Sequence, residues 1–181
     1  KIINLGIIGK NFGYNVIYKS FYNNKNFKVL AFAFKSKRYN KTKIPIKIKI
    51  YNNWKKLILN KNIDAIAIAS PPFMHKKIMK FAIKHNKHIF CEKPFTCSVK
   101  ESNEICKLIK KKKNISNMVN YEFVEIDAFR FFKYQILDKE IEIRRIDLKW
   151  FLNFRNRTNV WKENYNKGGS IIFNNVCHVI Y

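Results

Sequence analysis
Short apolar runs alternate with helix-period segments through most of the chain. Ile2 to Ile8 is apolar almost throughout and ends in a glycine-bearing turn, which predicts a buried strand. Residues around 13–23 read as a helix. Val29 to Phe34 predicts a second strand, and Ile46 to Tyr51, alternating Ile with Lys, a half-exposed third. Asn53 to Leu59 reads as a short helix opened by an asparagine cap. Asp64 to Ala69 (DAIAIA) predicts a fourth strand, stopped by Ser70, Pro71 and Pro72. The next helix, over about 73–85, carries Ile78, Phe81 and Ala82 on one face. A strand from His88 to Cys91, a helix over about 98–112 and a strand near Ile115 to Tyr121 complete the series. Such alternation predicts βαβ units, and the right-handed crossover rule arranges them as a doubly wound parallel α/β sheet.

Past residue 121 the pattern changes. Asp127 to Leu137 reads as an aromatic-rich helix, Ile141 to Leu152 as one long strand, and Asn153 to Lys167 as a polar loop. Gly168-Gly169 then opens a last apolar segment that ends at Tyr181 within a helical pattern and without a cap. One helix and one strand do not close a second core. The expected organisation is a first domain over 1–120 and the start of an α+β second domain over 121–181, in a fragment or truncated relative of a longer protein.

Composition narrows the class. The 181 residues are 47% hydrophobic, with 16 Phe, 9 Tyr and 3 Trp, enough to bury a core and to exclude wholesale disorder. No apolar run approaches the ~20 residues of a membrane span, so a soluble cytoplasmic protein without membrane contact is expected. The net charge of +25 raises nucleic-acid binding. The basic residues are nearly all Lys, however, spread evenly beside abundant Asn, Ile, Phe and Tyr, as compositional drift produces. No nucleic-acid-binding signature accompanies them, so nucleic acid is not the expected partner. Cys91, Cys97, Cys106 and Cys177 form no CxxC pair and have no histidine at ligand spacing; they are expected to be reduced core residues, with no metal.

The chemistry gathers at strand ends. Gly6-Ile7-Ile8-Gly9-Lys10-Asn11-Phe12-Gly13 has two of the glycines of a dinucleotide turn, with Asn11 at the middle position. Asparagine tolerates left-handed backbone angles, so the turn survives the replacement. After the second strand stand Lys35, Ser36, Lys37 and Arg38, with no acidic residue anywhere before Asp64. Basic groups there suit a ribose 2′-phosphate, which leans toward NADP over NAD. Cys91-Glu92-Lys93-Pro94 follows the fifth strand. The three turns at 9–13, 70–72 and 92–94 all fall at carboxyl ends of parallel strands, where open α/β sheets bind ligands. A lysine at such an edge, beside an oxidised nicotinamide, gives up its proton more readily and serves as a general acid/base.

IxxxGIIGxxxxG, NxxIDAIAIASPPxxH, KHIFCEKPFTCS and GGSIIFNNVCH occur in this order. Together they resemble the glucose–fructose oxidoreductase, inositol dehydrogenase and rhizopine-catabolism family (Gfo/Idh/MocA). The resemblance covers essentially the whole chain and is most specific at Glu92-Lys93-Pro94. It implies an N-terminal NAD(P)-binding Rossmann domain and a second domain with a large open sheet. The implied reaction passes hydride between a secondary alcohol of a sugar, cyclitol or sugar derivative and the nicotinamide. By position, the resemblance makes Lys93 the acid/base and substrate-hydroxyl contact, and His178 the histidine touching the reacting hydroxyl. Asn174, four residues earlier, stands where relatives have Asp, and Asn cannot accept a proton as a carboxylate does. Val124 stands near a frequent arginine, and Tyr181 where many relatives have Asp. Trp161-Lys162 resembles a Trp-Arg pair and places Lys162 at substrate. Gly9, Asn11, Phe12, Gly13, Ser36, Lys37, Arg38, Ser70, Pro71, Pro72, Glu92 and Lys93 are the expected cofactor contacts. Lys93, Trp161, Lys162 and His178 are the expected substrate contacts, and Lys93, His178 and Asn174 the catalytic group. His75 belongs to the motif, with a capping role as its other reading. The full-length protein is expected to be a homo-oligomer. The alternative is a dinucleotide-binding regulatory relative without turnover, motivated by Asn11 and Asn174.

Overall fold
The computed structural model describes residues 1–35, 45, 47–137, 142, 144, 145, 147, 149, 151, 162, 164–170, 172 and 176–180. Six parallel strands form one sheet: β1 (Ile3–Ile8), β2 (Phe27–Ala33), β3 (Lys49–Tyr51), β4 (Ala65–Ile68), β5 (His88–Glu92) and β6 (Asn117–Asn120). Their spatial order is β3-β2-β1-β4-β5-β6. The chain winds outward from β1 in one direction, then returns to β4 and winds in the other. The crevice between β1 and β4, where the order reverses, is the ligand-binding position of such sheets. The expected doubly wound α/β fold is therefore present.

Both faces of the sheet are buried at its centre, which is why β1 and β4 are apolar at successive positions. In β4, Ile66 and Ile68 face one core with Leu57, Ile58, Ile78, Met79 and Ile105, while Ala65 and Ala67 face the other with Leu5, Ile7, Ile17 and Phe32. The first core lies under α2 (Trp54–Ile58), α3 (His75–Lys84) and α4 (Val99–Lys110). The Asn53 side chain caps α2 by accepting from the Lys55 N–H at 2.9 Å. Ser98 caps α4 by accepting from the Glu101 N–H, and Glu101 reaches back to the Cys97 N–H, a reciprocal arrangement that satisfies two donors.

The helix expected over 13–23 starts two residues earlier; its centre, Gly13–Tyr18, is π-wound and passes into α1 (Lys19–Tyr22). Tyr14 and Tyr18 stack along it, with ring centroids 5.5 Å apart. β6 starts two residues after the expected position; the Ser116 N–H just before it donates to the His88 ring, while the Ser116 carbonyl accepts from the Ile89 N–H of β5. A 3-10 turn over Glu122–Glu125 and α5 (Asp127–Leu137) follow. The long strand expected over 141–152 falls largely outside the described residues. Among the described residues of the expected polar loop, Tyr165–Lys167 form a 3-10 turn, and α6 (Cys177–Ile180) is the last helix described. No described helix is long and apolar enough to cross a membrane. The cysteines correct one expectation: all four are free thiols, but only Cys91 is a core residue, and Cys106 is exposed on α4.

Candidate active site
The turn after β1 is built for close backbone approach. The Gly9 N–H donates to the Ala33 carbonyl at 3.0 Å, and the Ala69 N–H donates to the Ile8 carbonyl at 2.7 Å. Gly9 has φ +133, and a Cβ there would run into the Ala69 carbonyl. A side chain at this position is thus excluded by conformation and by space. At Gly13 a Cβ would stand 3.0 Å from Cγ2 of Ile7, so glycine lets the helix sit close over β1. The helical bonding opens with the Tyr14 N–H on the Lys10 carbonyl, 2.9 Å. The amides of the turn before it have no intrahelical acceptors and point out of the helix N-terminus, a ready anion site. Asn11 and Phe12 are exposed there. Asn11 departs from expectation: its backbone is helical, and the one described non-glycine residue at positive φ is Asn86. Asparagine's left-handed tolerance is not what preserves this turn; Gly9 carries the unusual angle.

The turn after β4 is tied to the loop after β5 by His75. This fully buried ring places Nε2 2.8 Å from the Ser70 carbonyl and Nδ1 3.0 Å from the Pro94 carbonyl. Burial depresses its basicity, and the carbonyls of Ser70, Pro94 and Phe95 oppose that depression. His75 is thus a clip between two site loops; the expected capping role is not seen, since α3 is capped at Met74 without a side-chain bond. Pro72 is buried, Ser70 and Pro71 half-buried, and the Lys93–Pro94 peptide is cis. Gly168, at φ +76, closes on the same turn: a Cβ there would stand 2.5 Å from Cβ of Pro72 and 3.2 Å from Sγ of Cys97. The second glycine pair therefore docks the last segment against the β4 turn.

That docking brings His178 to the ends of β5 and β6. Glu92 ends β5, is 7% exposed, and accepts from Nδ2 of Asn120 at 2.7 Å. The same amide nitrogen lies 3.3 Å from Oε2 of Glu122. Burial pushes the Glu92 carboxyl up to about 7; the Asn120 amide opposes this, the Glu122 charge adds to it, and Lys93 lowers it again. Oε1 of Glu122 lies 4.0 Å from Nε2 of His178, and the Phe123 ring stacks on the imidazole at 4.5 Å. His178 is 6% exposed. Burial lowers its basicity first, the Lys93 charge lowers it further, and Glu122 raises it. Lys93 is half-buried and its charge bears on Glu92, Cys177 and His178 alike.

The structure thus gathers Gly9, Gly13, Ser70, Pro71, Pro72, Glu92, Lys93 and His178 at the carboxyl edge of the sheet. Lys162 is exposed in a turn. Ser36, Lys37, Arg38, Trp161 and Asn174 lie outside the described residues. Asn120, Glu122 and Phe123 are the contributors that sequence reasoning passed over. The signal is present in the sequence: they stand at and just past the end of a predicted parallel strand, the same edge that carries the other turns.

The family model for an oxidoreductase family with an NAD-binding Rossmann fold matches residues 3–121. An uncharacterized oxidoreductase of Synechocystis sp. is 32% identical over 127 residues, 67% of this chain and 34% of that protein. A Bacillus subtilis scyllo-inositol 2-dehydrogenase (NADP(+)) is 45% identical over 42 residues, 23% of this chain and 13% of that protein. The solved structure of scyllo-inositol dehydrogenase from Lactobacillus casei, with bound NAD(H) and scyllo-inositol, has a TM-score of 0.71 at 19% identity. The match covers 78% of this chain and 42% of that one. The chain spans well under half the length of these relatives.

Proposed function
The chain belongs to the Gfo/Idh/MocA family of NAD-binding Rossmann oxidoreductases, and from that premise we propose that it oxidises a secondary alcohol of a sugar, cyclitol or sugar derivative. The observation that carries this reading is the convergence of three turns at the β1/β4 reversal: the Gly9 cradle, the Ser70–Pro72 turn, and the Glu92–Lys93 loop clipped to it by His75.

The fit to a dinucleotide rests on the cradle that a Cβ at Gly9 would fill and on the amides at the start of the following helix. Gly9, Asn11, Phe12 and Gly13 would hold the pyrophosphate, with Ser70, Pro71, Pro72 and Glu92 along the nicotinamide side. When bound, the nicotinamide supplies the hydride acceptor. This chain's own residues bind and orient the alcohol: Lys93 and His178 meet the reacting hydroxyl, and its proton passes to that pair as hydride leaves. Trp161 and Lys162 would add substrate contacts, and the amide of Asn174 offers hydrogen bonding without proton-accepting capacity. Ser36, Lys37 and Arg38 favour NADP through the 2′-phosphate; the B. subtilis relative is named for NADP(+), while the L. casei structure holds NAD(H). In this reading residues 121–181 begin a substrate and oligomerisation domain, and the whole protein works in the cytoplasm as a homo-oligomer without nucleic-acid partners.

The test follows nicotinamide absorbance with inositols and sugar alcohols as candidate substrates, NAD+ and NADP+ in parallel. Turnover lost in Lys93→Met, and NADP+ preference lost in Lys37→Ala with Arg38→Ala, is the expected result. Dinucleotide binding without turnover on the full-length protein would instead make it a regulatory relative.

A further inference from the structure
The turn after β6 supplies two contacts to the His178 ring. Phe123 stacks on its face, with planes 25° apart and centroids 4.5 Å apart. Glu122, one residue earlier, places Oε1 4.0 Å from Nε2 at its edge, within ion-pair range. A stacked aromatic holds the plane of an imidazole but does not choose which nitrogen carries the proton. A carboxylate at one edge does choose, because it attracts an N–H and repels a lone pair. The other nitrogen, Nδ1, is buried and has no hydrogen-bond partner among the described residues. Glu122 is itself held: its second oxygen, Oε2, lies 3.3 Å from the Asn120 amide nitrogen, which also serves Glu92.

We infer that Glu122 is the positioning residue of this site: it holds the proton of neutral His178 on Nε2, leaves Nδ1 as the lone-pair edge, and pairs with the imidazolium when Nδ1 gains a proton. This rests on the assignment of His178 to the reacting hydroxyl made above. The charged groups that bear on the ring are Lys93, next to Glu92 at the end of β5, and Glu122 in the turn after β6; Cys177 adjoins His178 on α6. Burial and Lys93 disfavour the imidazolium and Glu122 favours it, while burial keeps the Cys177 thiol neutral by raising it.

The test is nitrogen-15 and carbon-13 NMR of the full chain labelled at its 4 histidines, with His178 assigned by His178→Asn. The parent is expected to show the Nε2–H tautomer. Glu122→Gln is expected to move the His178 titration down by about half a unit or more, as expected for losing one partly screened charge at this distance. Glu125→Gln, from the same turn, serves as the control and should move it less. An Nδ1–H tautomer in the parent, or a Glu122→Gln shift no larger than that of Glu125→Gln, overturns the inference. Should Glu122→Gln fail to fold, the parent tautomer alone decides. NADPH and NADH titrated into the same sample keep the two ideas separate: absent binding with the Nε2–H tautomer sinks the dehydrogenase reading and leaves the pairing intact.

Discussion

The Nδ1 atom of His75 lies 3.0 Å from the carbonyl of Pro94, and through that contact α3 holds the loop that carries Lys93. The opposite nitrogen of the ring lies 2.8 Å from the Ser70 carbonyl; a neutral imidazole has one N–H, so it donates to one of these two carbonyls at a time while its packing spans both ligand-facing turns. His75→Ala removes the clip and opens a cavity in a fully buried position. The expected cost is roughly 2–4 kcal/mol in urea unfolding, from the lost packing and the carbonyl left without its N–H donor. Dinucleotide affinity should fall with it, whereas a surface substitution such as Lys77→Ala should change neither.

The pH dependence of stability has two opposed parts. His75 and His178 titrate lower in the folded chain than the ordinary 6.5, so the unfolded chain binds more protons and stability falls as pH drops below 6.5. Glu92 is raised from 4.5 to about 7, so the folded chain binds its proton more tightly; that stability is present below 4.5 and lost as pH rises through about 7. Glu92→Gln keeps an oxygen for the Asn120 amide and never ionises. It should match the parent near pH 4.5 and exceed it at pH 8 by about 1–3 kcal/mol, measured by denaturant unfolding at both values. Equal stability of the two proteins at pH 8 would show that Glu92 does not carry this proton.

The thiols should separate by position. Cys106 is exposed, while Cys91 is fully buried and its thiol is pushed well up by burial, then by Glu92. Under native conditions a maleimide should modify Cys106 first and leave Cys91 untouched until the chain unfolds, as read by peptide mass spectrometry. Early modification of Cys91 would contradict the packing of β5 against α3 and α4.

What could be read from the sequence was local. The bounds of α5 at Asp127–Leu137 match the aromatic helical pattern, and Asn53 caps α2 as its position before the apolar run implied. β4 was legible because DAIAIA is followed at once by serine and two prolines. The doubly wound parallel arrangement followed from alternation and crossover handedness, both properties of neighbouring segments, whereas the strand order came only from the structure. The site was legible where a turn carries its own signature, as at Gly9 and at Glu92-Lys93-Pro94. The Glu122–His178 pair was not, since 56 residues separate its members and neither position has a local pattern that names the other. The role given to Asn11 failed for a related reason: a left-handed turn residue and the first residue of a helix look alike in a glycine-rich string, and only the backbone separates them.

In the proposed function the turn after β1 binds a nicotinamide dinucleotide. The most direct test is titration of the folded chain with NADPH and with NADH, followed by tryptophan fluorescence and checked by calorimetry. Asn11→Asp is the companion variant, because Asn11 is exposed in the first turn of its helix and tolerates a carboxylate there without loss of fold. The expected result is saturable binding of at least one nucleotide, tighter for NADPH, and weakened roughly tenfold or more in Asn11→Asp, whose charge would meet the pyrophosphate. A folded chain that binds neither nucleotide, or an Asn11→Asp variant that binds as well as the parent, would contradict it.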